Sequence, residues 1–192
     1  MKRFTLALAA ALALVNFSTA AAPVEVLKAQ NIRSTYRGNV EQYLGVTVSV
    51  DNLAYGKVVD IVYRDSDNQW KTVPASYRHS AGSNKEIWSA GWSRITTGGA
   101  SVGPEIDFEF AVKYQVNGQT YWDNNGGQNH KVNRNTGEYI TKPVVSADAL
   151  TYSRSSSDQW RLYVAALTKN LSGAKEVKIH YTYNNWATTY VQ

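Results

Sequence analysis

The chain has 192 residues, enough for one large domain or one and a half small ones, and a formal net charge of +5. Its basic residues are dispersed and do not alternate with aromatic residues, which argues against a nucleic-acid-binding protein. With no cysteine, the fold gains nothing from disulfide bonds and depends on its core. The 13 tyrosines and six tryptophans far outnumber the four phenylalanines, and rings with a polar edge suit half-exposed positions.

The first 21 residues predict a signal peptide. Lys2 and Arg3 give a positive start, Phe4–Val15 is a short apolar run, and Ser18–Ala20 supplies the small residues of a cleavage site. The apolar run is too short for a stable membrane span. We therefore expect a secreted, extracellular chain without a membrane anchor, whose net charge falls from +5 to +3 when the two basic residues are removed.

The rest of the chain has the pattern of an all-β protein. Three runs rich in β-branched and aromatic residues, Tyr43–Val50, Lys57–Tyr63 and Ile106–Val116, are separated by turn-forming stretches. No window beyond the N-terminal segment shows helical periodicity for more than a turn or two. Short strands with this spacing predict an antiparallel β-sandwich.

One hairpin can be predicted in register. Asn117-Gly118 favours a two-residue turn in which both positions have positive φ. Such a turn places Tyr121 opposite Tyr114 and Trp122 opposite Lys113, and directly paired residues share a face of the sheet. Because alternate residues up to Val116 form an apolar face that includes Tyr114, we expect Tyr121 to be buried and Trp122 to be exposed.

The stretch NGQTYWDNNGGQNHKV, Asn117–Val132, surrounds Trp122 with amides. An aromatic ring beside amides suits a sugar, because the ring contacts the C–H face of a pyranose while amides bond its hydroxyls. Trp70 follows a polar turn and predicts a second exposed ring. The alternative for each tryptophan is packing beneath its own loop. Tyr55 and Lys57 lie in a short turn that by itself indicates only a solvated hairpin.

The sequence also contains an internal repeat, in which Val50–Trp70 is echoed by Thr168–Trp186. At an offset of 118 residues, the matches are Asn52, Leu53, Lys57, Ile61 and Tyr63 with Asn170, Leu171, Lys175, Ile179 and Tyr181. The offset predicts one complete unit, a short linker of residues 133–143, and a partial second unit of residues 144–192.

Val50–Trp70, the ASY of residues 75–77, and Phe108–Asn129 together resemble carbohydrate-binding module family 21. Members of this family are starch- and glycogen-binding domains of fungal glucoamylases and of glycogen-targeting phosphatase subunits. The resemblance covers Val24–Val132, so we expect residues 22–132 to form a starch-binding module with an immunoglobulin-like antiparallel β-sandwich fold.

The resemblance implies two carbohydrate-binding sites. The first contains Trp70, Trp122, Asn124 and Asn129. The second contains Tyr55, Tyr77, Asn52 and Lys57. We add Asp123 and Asn125 of the same YWDNN motif, and in the second unit Asn170, Lys175 and Trp186. Lys85 and Ala111 occupy positions where other members can carry an aromatic residue, so each site has one ring fewer. In the second unit, Gly173 replaces Tyr55, and Asn170 opens a glycosylation sequon.

These features predict a secreted, non-catalytic protein that binds α-1,4-glucans such as starch, glycogen and maltooligosaccharides, without a cofactor, metal, nucleic acid or membrane partner. The alternative is the binding portion of a larger secreted amylolytic enzyme such as a glucoamylase. A glycogen-targeting phosphatase scaffold fits less well, because the chain has no basic-valine-x-aromatic docking motif. Self-association through the partial second unit is also expected, because its apolar strand faces need a partner.

Catalysis is disfavoured by the residues themselves. A glycoside hydrolase needs two carboxylates across a cleft, and no such pair is recognisable. A copper-dependent polysaccharide oxidase needs a histidine at the mature N-terminus, where the cleavage site predicts alanine. His79, His130 and His180 lack the spacing of metal ligands.

Overall fold

The computed structural model describes residues 22–98, 101–141, 145–154 and 160–192, and the predicted signal peptide lies outside these ranges. The first ten strands are β1 Val24–Tyr36, β2 Asn39–Asp51, β3 Lys57–Arg64, β4 Trp70–Pro74, β5 Ser76–Ser80, β6 Lys85–Ile95, β7 Phe108–Val116, β8 Gln119–Asp123, β9 His130–Val132 and β10 Gly137–Ile140. Four more strands follow, β11 Val145–Arg154, β12 Trp160–Thr168, β13 His180–Tyr181 and β14 Tyr190–Val191. Within the described ranges, no helix is long and apolar enough to cross a membrane.

Strands β1 to β10 form two antiparallel sheets. The first has the order β10-β1-β2-β6-β5, and the second has the order β4-β3-β7-β8, with β9 also pairing with β7. The inward faces of the two sheets meet in one apolar core, which confirms the predicted all-β, immunoglobulin-like sandwich.

Alternation along the strands supplies this core. In β7, the side chains of Phe108, Phe110, Val112, Tyr114 and Val116 are buried, as the apolar pattern predicts. From the opposite sheet, β2 contributes Leu44, Val46, Val48 and Val50. Each fully buried aliphatic or aromatic side chain of this kind stabilises the fold by about 1.5–3 kcal/mol, so the inner face specifies the register of both sheets.

A buried polar network holds the turn that precedes β4. The Arg94 guanidinium donates to Gln42 Oε1 at 2.9 Å and to Asp65 Oδ1 at 2.5 Å. Asp65 Oδ2 also accepts from Lys71 Nζ at 2.5 Å. Burial of Asp65 opposes its ionisation, but the bonds from Lys71 and the Ser66 backbone, with the Arg94 charge, lower its pKa below the usual value. The network therefore fixes the turn that carries Trp70 into position.

The structure differs from the predicted linker, because Gly137–Ile140 of that segment forms strand β10. This strand pairs with β1, with Ala29 opposite Tyr139 and Gln30 opposite Glu138. The sandwich therefore extends eight residues beyond the predicted module boundary at Val132.

The hairpin of β11 and β12 has the same irregularity as the hairpin of β1 and β2. In the first hairpin, three pairs beginning with Val24 and Val50 precede a bulge between Val26 and Lys28. In the later hairpin, three pairs beginning with Val145 and Thr168 precede a bulge between Ala147 and Ala149. The structural similarity does not extend to β3, although the sequence repeat does, because the later counterpart of β3 is a strand only at His180–Tyr181.

Candidate functional site

The outer face of the second sheet carries a cleft of about 350 Å³, here called the tryptophan cleft. Its lining consists of Val62, Trp70, Ala111, Trp122, Asn124 and Asn129. The structure thus brings together all four residues of the first predicted site. Ala111 lies on the floor between the two tryptophans, where a larger side chain would fill the space.

Strand register exposes Trp122 in this cleft. Asn117 and Gly118 have φ values of 51° and 72°, and Trp122 pairs with Lys113 while Tyr121 pairs with Tyr114. Trp122 is 46% exposed, whereas Tyr121 packs against the core. The predicted turn, register and opposite orientation of these two adjacent rings are confirmed.

Trp70 is linked to the asparagine-rich loop by two charged side chains that the sequence did not indicate. The Arg64 guanidinium lies 5.4 Å from the centre of the Trp70 ring and 3.1 Å from Glu109 Oε2. Glu109 Oε1 accepts a hydrogen bond of 2.8 Å from Asn129 Nδ2. Glu109 therefore joins the two walls of the tryptophan cleft.

The loop Asn124–Asn129, here called the asparagine loop, is stiffened by its own amides. Asn124 Oδ1 accepts from the Gly127 backbone at 3.0 Å, and Asn125 Nδ2 donates to the Asn129 carbonyl at 3.1 Å. Asn125 and Asn129 have φ values of 51° and 58°, a region that asparagine tolerates better than most residues. The abundance of asparagine here therefore has a backbone cause as well as a chemical one.

Asp123 anchors the start of the asparagine loop. Its Oδ2 accepts from the Val26 backbone at 2.7 Å, and its Oδ1 accepts from His130 Nε2 at 2.8 Å. Burial opposes ionisation of Asp123, but the bonds from His130 and Val26 outweigh it and hold its pKa below the usual value. The His130 ring also stacks on Phe110 at 5.2 Å, which fixes the pair against the core.

The structure places two residues of the YWDNN motif outside the tryptophan cleft. The Asp123 carboxylate is turned inward with both oxygens bonded, so it supports the loop and does not line the tryptophan cleft. Asn125 lines a different cleft. Of the polar residues in the motif, only Asn124 lies in the tryptophan cleft with Trp122.

A second cleft, here called the tyrosine cleft, has a volume of about 770 Å³. It is lined by Asn52, Ala54, Tyr55, Lys57, Tyr77, Glu86 and Trp88. All four residues of the second predicted site are therefore close together. Tyr55 is fully exposed and Tyr77 is half exposed, so both rings can be reached from solvent.

An ion pair forms the polar floor of the tyrosine cleft. Lys57 Nζ lies 2.9 Å from Glu86 Oε2, and the side chains of these residues are only 3% and 13% exposed. Lys57 also donates to Asn52 Oδ1, and Trp88 Nε1 donates to Glu86 at 2.9 Å. Burial opposes ionisation of Glu86, but Lys57 and Trp88 together lower its pKa below the usual value.

Sequence reasoning missed Glu86 and Trp88 in this cleft. Trp88 pairs with Tyr77 across β5 and β6, and their rings meet edge to face with centres 6.0 Å apart. Two positions apart on one strand, Glu86 and Trp88 share a face, a signal that strand parity could have supplied. Lys85, by contrast, is not among the residues that line the tyrosine cleft, and its Nζ lies 2.5 Å from Asp51 Oδ1.

The predicted residues of the second unit do not form a comparable constellation. Asn170 and Lys175 are exposed on irregular backbone, and Trp186 is 63% exposed in the turn between β13 and β14. Among the residues that the structure describes, no hydrogen bond, ion pair or ring contact joins these three side chains.

A family model described as "Carbohydrate/starch-binding module (family 21)" matches residues 27–133, which include both clefts. The chain belongs to this family. Strand β10, which carries Tyr139, lies just beyond the matched residues.

Several known proteins share the module. Glucoamylase 1 of Rhizopus oryzae is 38% identical over 90 residues, which cover 44% of this chain and 13% of the glucoamylase. Protein phosphatase 1 regulatory subunit 3B of Homo sapiens is 36% identical over 110 residues, which cover 53% of this chain and 36% of that subunit. The chain therefore matches at most about a third of these curated relatives.

Among solved structures, the starch-binding domain of Rhizopus oryzae glucoamylase in complex with β-cyclodextrin and maltoheptaose is similar to this chain. The two are 32% identical, with a TM-score of 0.42, and the match covers 58% of this chain and 92% of that domain.

Proposed function

We propose that this chain is a secreted, non-catalytic protein that binds α-1,4-glucans. The observation that carries the proposal is the tryptophan cleft, where two half-exposed tryptophans stand beside Asn124 and Asn129. A glucan offers flat C–H faces to the rings and hydroxyls that both donate and accept hydrogen bonds to the amides. Membership of the family, and the starch-binding domain of the glucoamylase among its relatives, support this ligand class.

The shapes of both clefts suit a chain rather than a small molecule. Each is a shallow opening on the side of the sandwich, with half-exposed rings at its rim, so a polymer can lie across it without threading an end into a pocket. Two separate clefts on one sandwich also allow a single module to contact two stretches of glucan.

The chemistry of the carboxylates near the clefts supports a non-catalytic role. A glycosidase needs a carboxylic acid whose pKa is raised, so that it carries a proton at working pH. Asp123 and Glu86 instead have lowered pKa values, and Glu109 is paired with Arg64. The lowered pKa values of Asp123 and Glu86 favour their ionised forms and a structural task.

We also propose that residues 144–192 are a second, related unit. The shared register and bulge of the β1–β2 and β11–β12 hairpins support this, in addition to the sequence repeat. In the first unit β2 pairs with β6 as well as β1, whereas among the described residues β12 pairs with β11 alone. The free edge of β12 is where a second copy of the chain would associate.

The alternative function is the binding portion of a larger secreted amylolytic enzyme. The observation in its favour is the relation to the glucoamylase, in which the matched region is only 13% of the length. The relation to phosphatase regulatory subunits makes a protein-targeting scaffold a weaker alternative, because the docking motif is absent from the sequence.

The test is binding in parallel to granular starch, immobilised glycogen and cellulose, together with an assay for released reducing sugar. We expect retention on starch and glycogen, and no sugar release. Replacing both Trp70 and Trp122 by Ala should weaken that retention, because only the tyrosine cleft then remains. Tighter retention on cellulose, or hydrolysis by the purified chain, would contradict the proposal. Secretion is tested separately, by sequencing the N-terminus of the exported protein, which we expect near Ala22.

A further inference from the structure

A third cleft, of about 450 Å³, also borders the asparagine loop. It is lined by Asn125, Gln128, Asn129, His130, Lys131 and Tyr139, and we call it the β10 cleft. Tyr139 is 44% exposed, so its ring is accessible beside three amide side chains and a lysine. This is the same combination of an aromatic surface and amides that the tryptophan cleft contains.

Backbone pairing explains why Tyr139 stands there. Tyr139 pairs with Ala29, and directly paired residues share a face, so Tyr139 is on the inward side of the first sheet. Strand β10 is the edge of that sheet, however, so the ring reaches the rim of the sandwich, where the asparagine loop and β9 of the other sheet lie. An edge position thus leaves half of an inward-facing ring in solvent.

The two clefts share one wall. Asn129 lines both of them, while Asn124 faces the tryptophan cleft and Asn125 faces the β10 cleft. Asn129 is held by Glu109 through its Nδ2, and no described residue engages its Oδ1, which leaves an acceptor free at the shared wall. A linear ligand that fills the tryptophan cleft has a continuation across this loop.

We propose that Tyr139, with Asn125 and Gln128 of the asparagine loop, forms an additional subsite for the α-glucan chain that occupies the tryptophan cleft. This proposal depends on the proposed function and adds a length requirement to it. Short oligosaccharides fill the tryptophan cleft alone, whereas longer ones also stack on Tyr139 and bond the amides of Asn125 and Gln128. The subsite therefore makes this cleft favour long glucans over short ones.

Calorimetric titration with maltotriose and maltoheptaose tests the length requirement. The measurements use a Tyr55→Ala background, so that the tyrosine cleft contributes little to the signal. We expect Tyr139→Ala to weaken maltoheptaose binding about tenfold, by analogy with the loss of one stacking ring, and to change maltotriose binding less than about twofold. Tyr139→Phe, which keeps the ring, is expected to bind both sugars like the background protein.

Two further variants accompany Tyr139→Ala: one is a control for the loss of an exposed tyrosine, and the other tests the subsite without changing Tyr139. Tyr36→Ala removes a more exposed tyrosine, at the tip of the β1–β2 hairpin, and is expected to leave both affinities unchanged. Gln128→Ala tests the subsite even if Tyr139→Ala does not fold, because Gln128 lies at an exposed loop position. We expect this variant to weaken maltoheptaose binding about threefold.

The outcomes separate this proposal from the proposed function. If the parent protein with all its tyrosines binds neither sugar, the proposed function fails and the subsite fails with it. If the parent binds maltoheptaose but the Tyr139 and Gln128 variants bind it equally well, only the subsite is wrong. An equal loss of affinity for both sugars would also overturn the subsite, because it would mean that Tyr139 merely supports the asparagine loop.

Discussion

The tryptophan cleft and the tyrosine cleft both place aromatic rings beside amides, but they hold those rings in different ways. In the tryptophan cleft, Trp122 is exposed by the register of a hairpin, and the nearby charges lie at the rim. In the tyrosine cleft, a nearly buried pair, Lys57 and Glu86, forms the floor beneath the rings. The tryptophan cleft should therefore be sensitive to changes in strand register. The tyrosine cleft should be sensitive to any substitution that leaves Lys57 or Glu86 without its partner.

The largest effect is expected from breaking the ion pair of the tyrosine cleft. Glu86→Leu leaves Lys57 buried without its counter-charge, which should lower the free energy of unfolding by about 3 kcal/mol. Chemical denaturation measures this difference. The control is Asp67→Asn, which removes an exposed partner of Lys71 and should change stability far less. Equal stability of the two variants would show that the floor of the cleft does not depend on this pair.

The next effect separates two adjacent residues of β8. Tyr121→Ala should lower the free energy of unfolding by about 2 kcal/mol, because a ring packed on the core leaves a cavity. Trp122→Ala should change stability little but weaken glucan binding by about 1–3 kcal/mol, and Trp70→Ala should behave like it. Thermal unfolding and starch-binding isotherms of the three variants provide the measurement. A reversed pattern, with Trp122→Ala unfolding the protein, would show that the binding face is wrongly assigned.

A smaller effect tests whether the two clefts act separately. Tyr55→Ala removes a fully exposed ring and should weaken binding of a long glucan by about 1 kcal/mol. Combined with Trp122→Ala, the losses should add to within about 0.5 kcal/mol if the clefts bind independently. Isothermal titration of the two single variants and the double variant measures this. Strong non-additivity would mean that one glucan chain engages both clefts at once.

The smallest expected effect is a loss of stability in acid, which does not occur at neutral pH because Asp123 is ionised there. The pKa of folded Asp123 lies below its ordinary value of 3.8, so the stabilisation it provides is complete above that pH. It is lost as the pH falls through the lower folded pKa, because a protonated Asp123 no longer attracts His130. We expect the melting temperature to fall less steeply below about pH 4 in Asp123→Asn than in the unmodified protein. Asp65 and Glu86 titrate in both proteins, so parallel curves would rule out a contribution from Asp123.

Local sequence carried enough information for the parts of the site that depend on one turn. The Asn-Gly turn and the alternation of β7 are local, and together they place Tyr121 inward and Trp122 outward. The same parity places Asp123 opposite the buried Val112 and away from the tryptophan cleft, whereas its inclusion among the site residues followed the motif and not the strand. The grouping of the remaining residues into two sites came from the family resemblance, and the structure brings those groups together.

The rest depended on contacts between distant parts of the chain. Strand β10 forms only because it can pair with β1, more than 100 residues earlier, and its four residues carry no strong pattern of their own. Glu86 meets Lys57 across the two sheets, and Glu109 meets Asn129 and Arg64 from three different segments. Composition and periodicity do not predict such contacts, because they depend only on the residues of one strand and not on the strands that pack beside it.

The Asn117-Gly118 turn also makes the protein prone to chemical ageing. Glycine offers little steric hindrance to attack by its backbone nitrogen on the preceding asparagine amide, which releases ammonia and forms a cyclic imide. Hydrolysis of the imide gives aspartate, which the turn accepts, or isoaspartate, which adds one atom to the backbone between β7 and β8. Since that turn sets the position of Trp122, we expect stored protein to lose glucan affinity in proportion to its isoaspartate content, as measured by peptide mapping. Affinity that holds steady while isoaspartate accumulates would show that the strand ladder, and not the turn, keeps Trp122 in place.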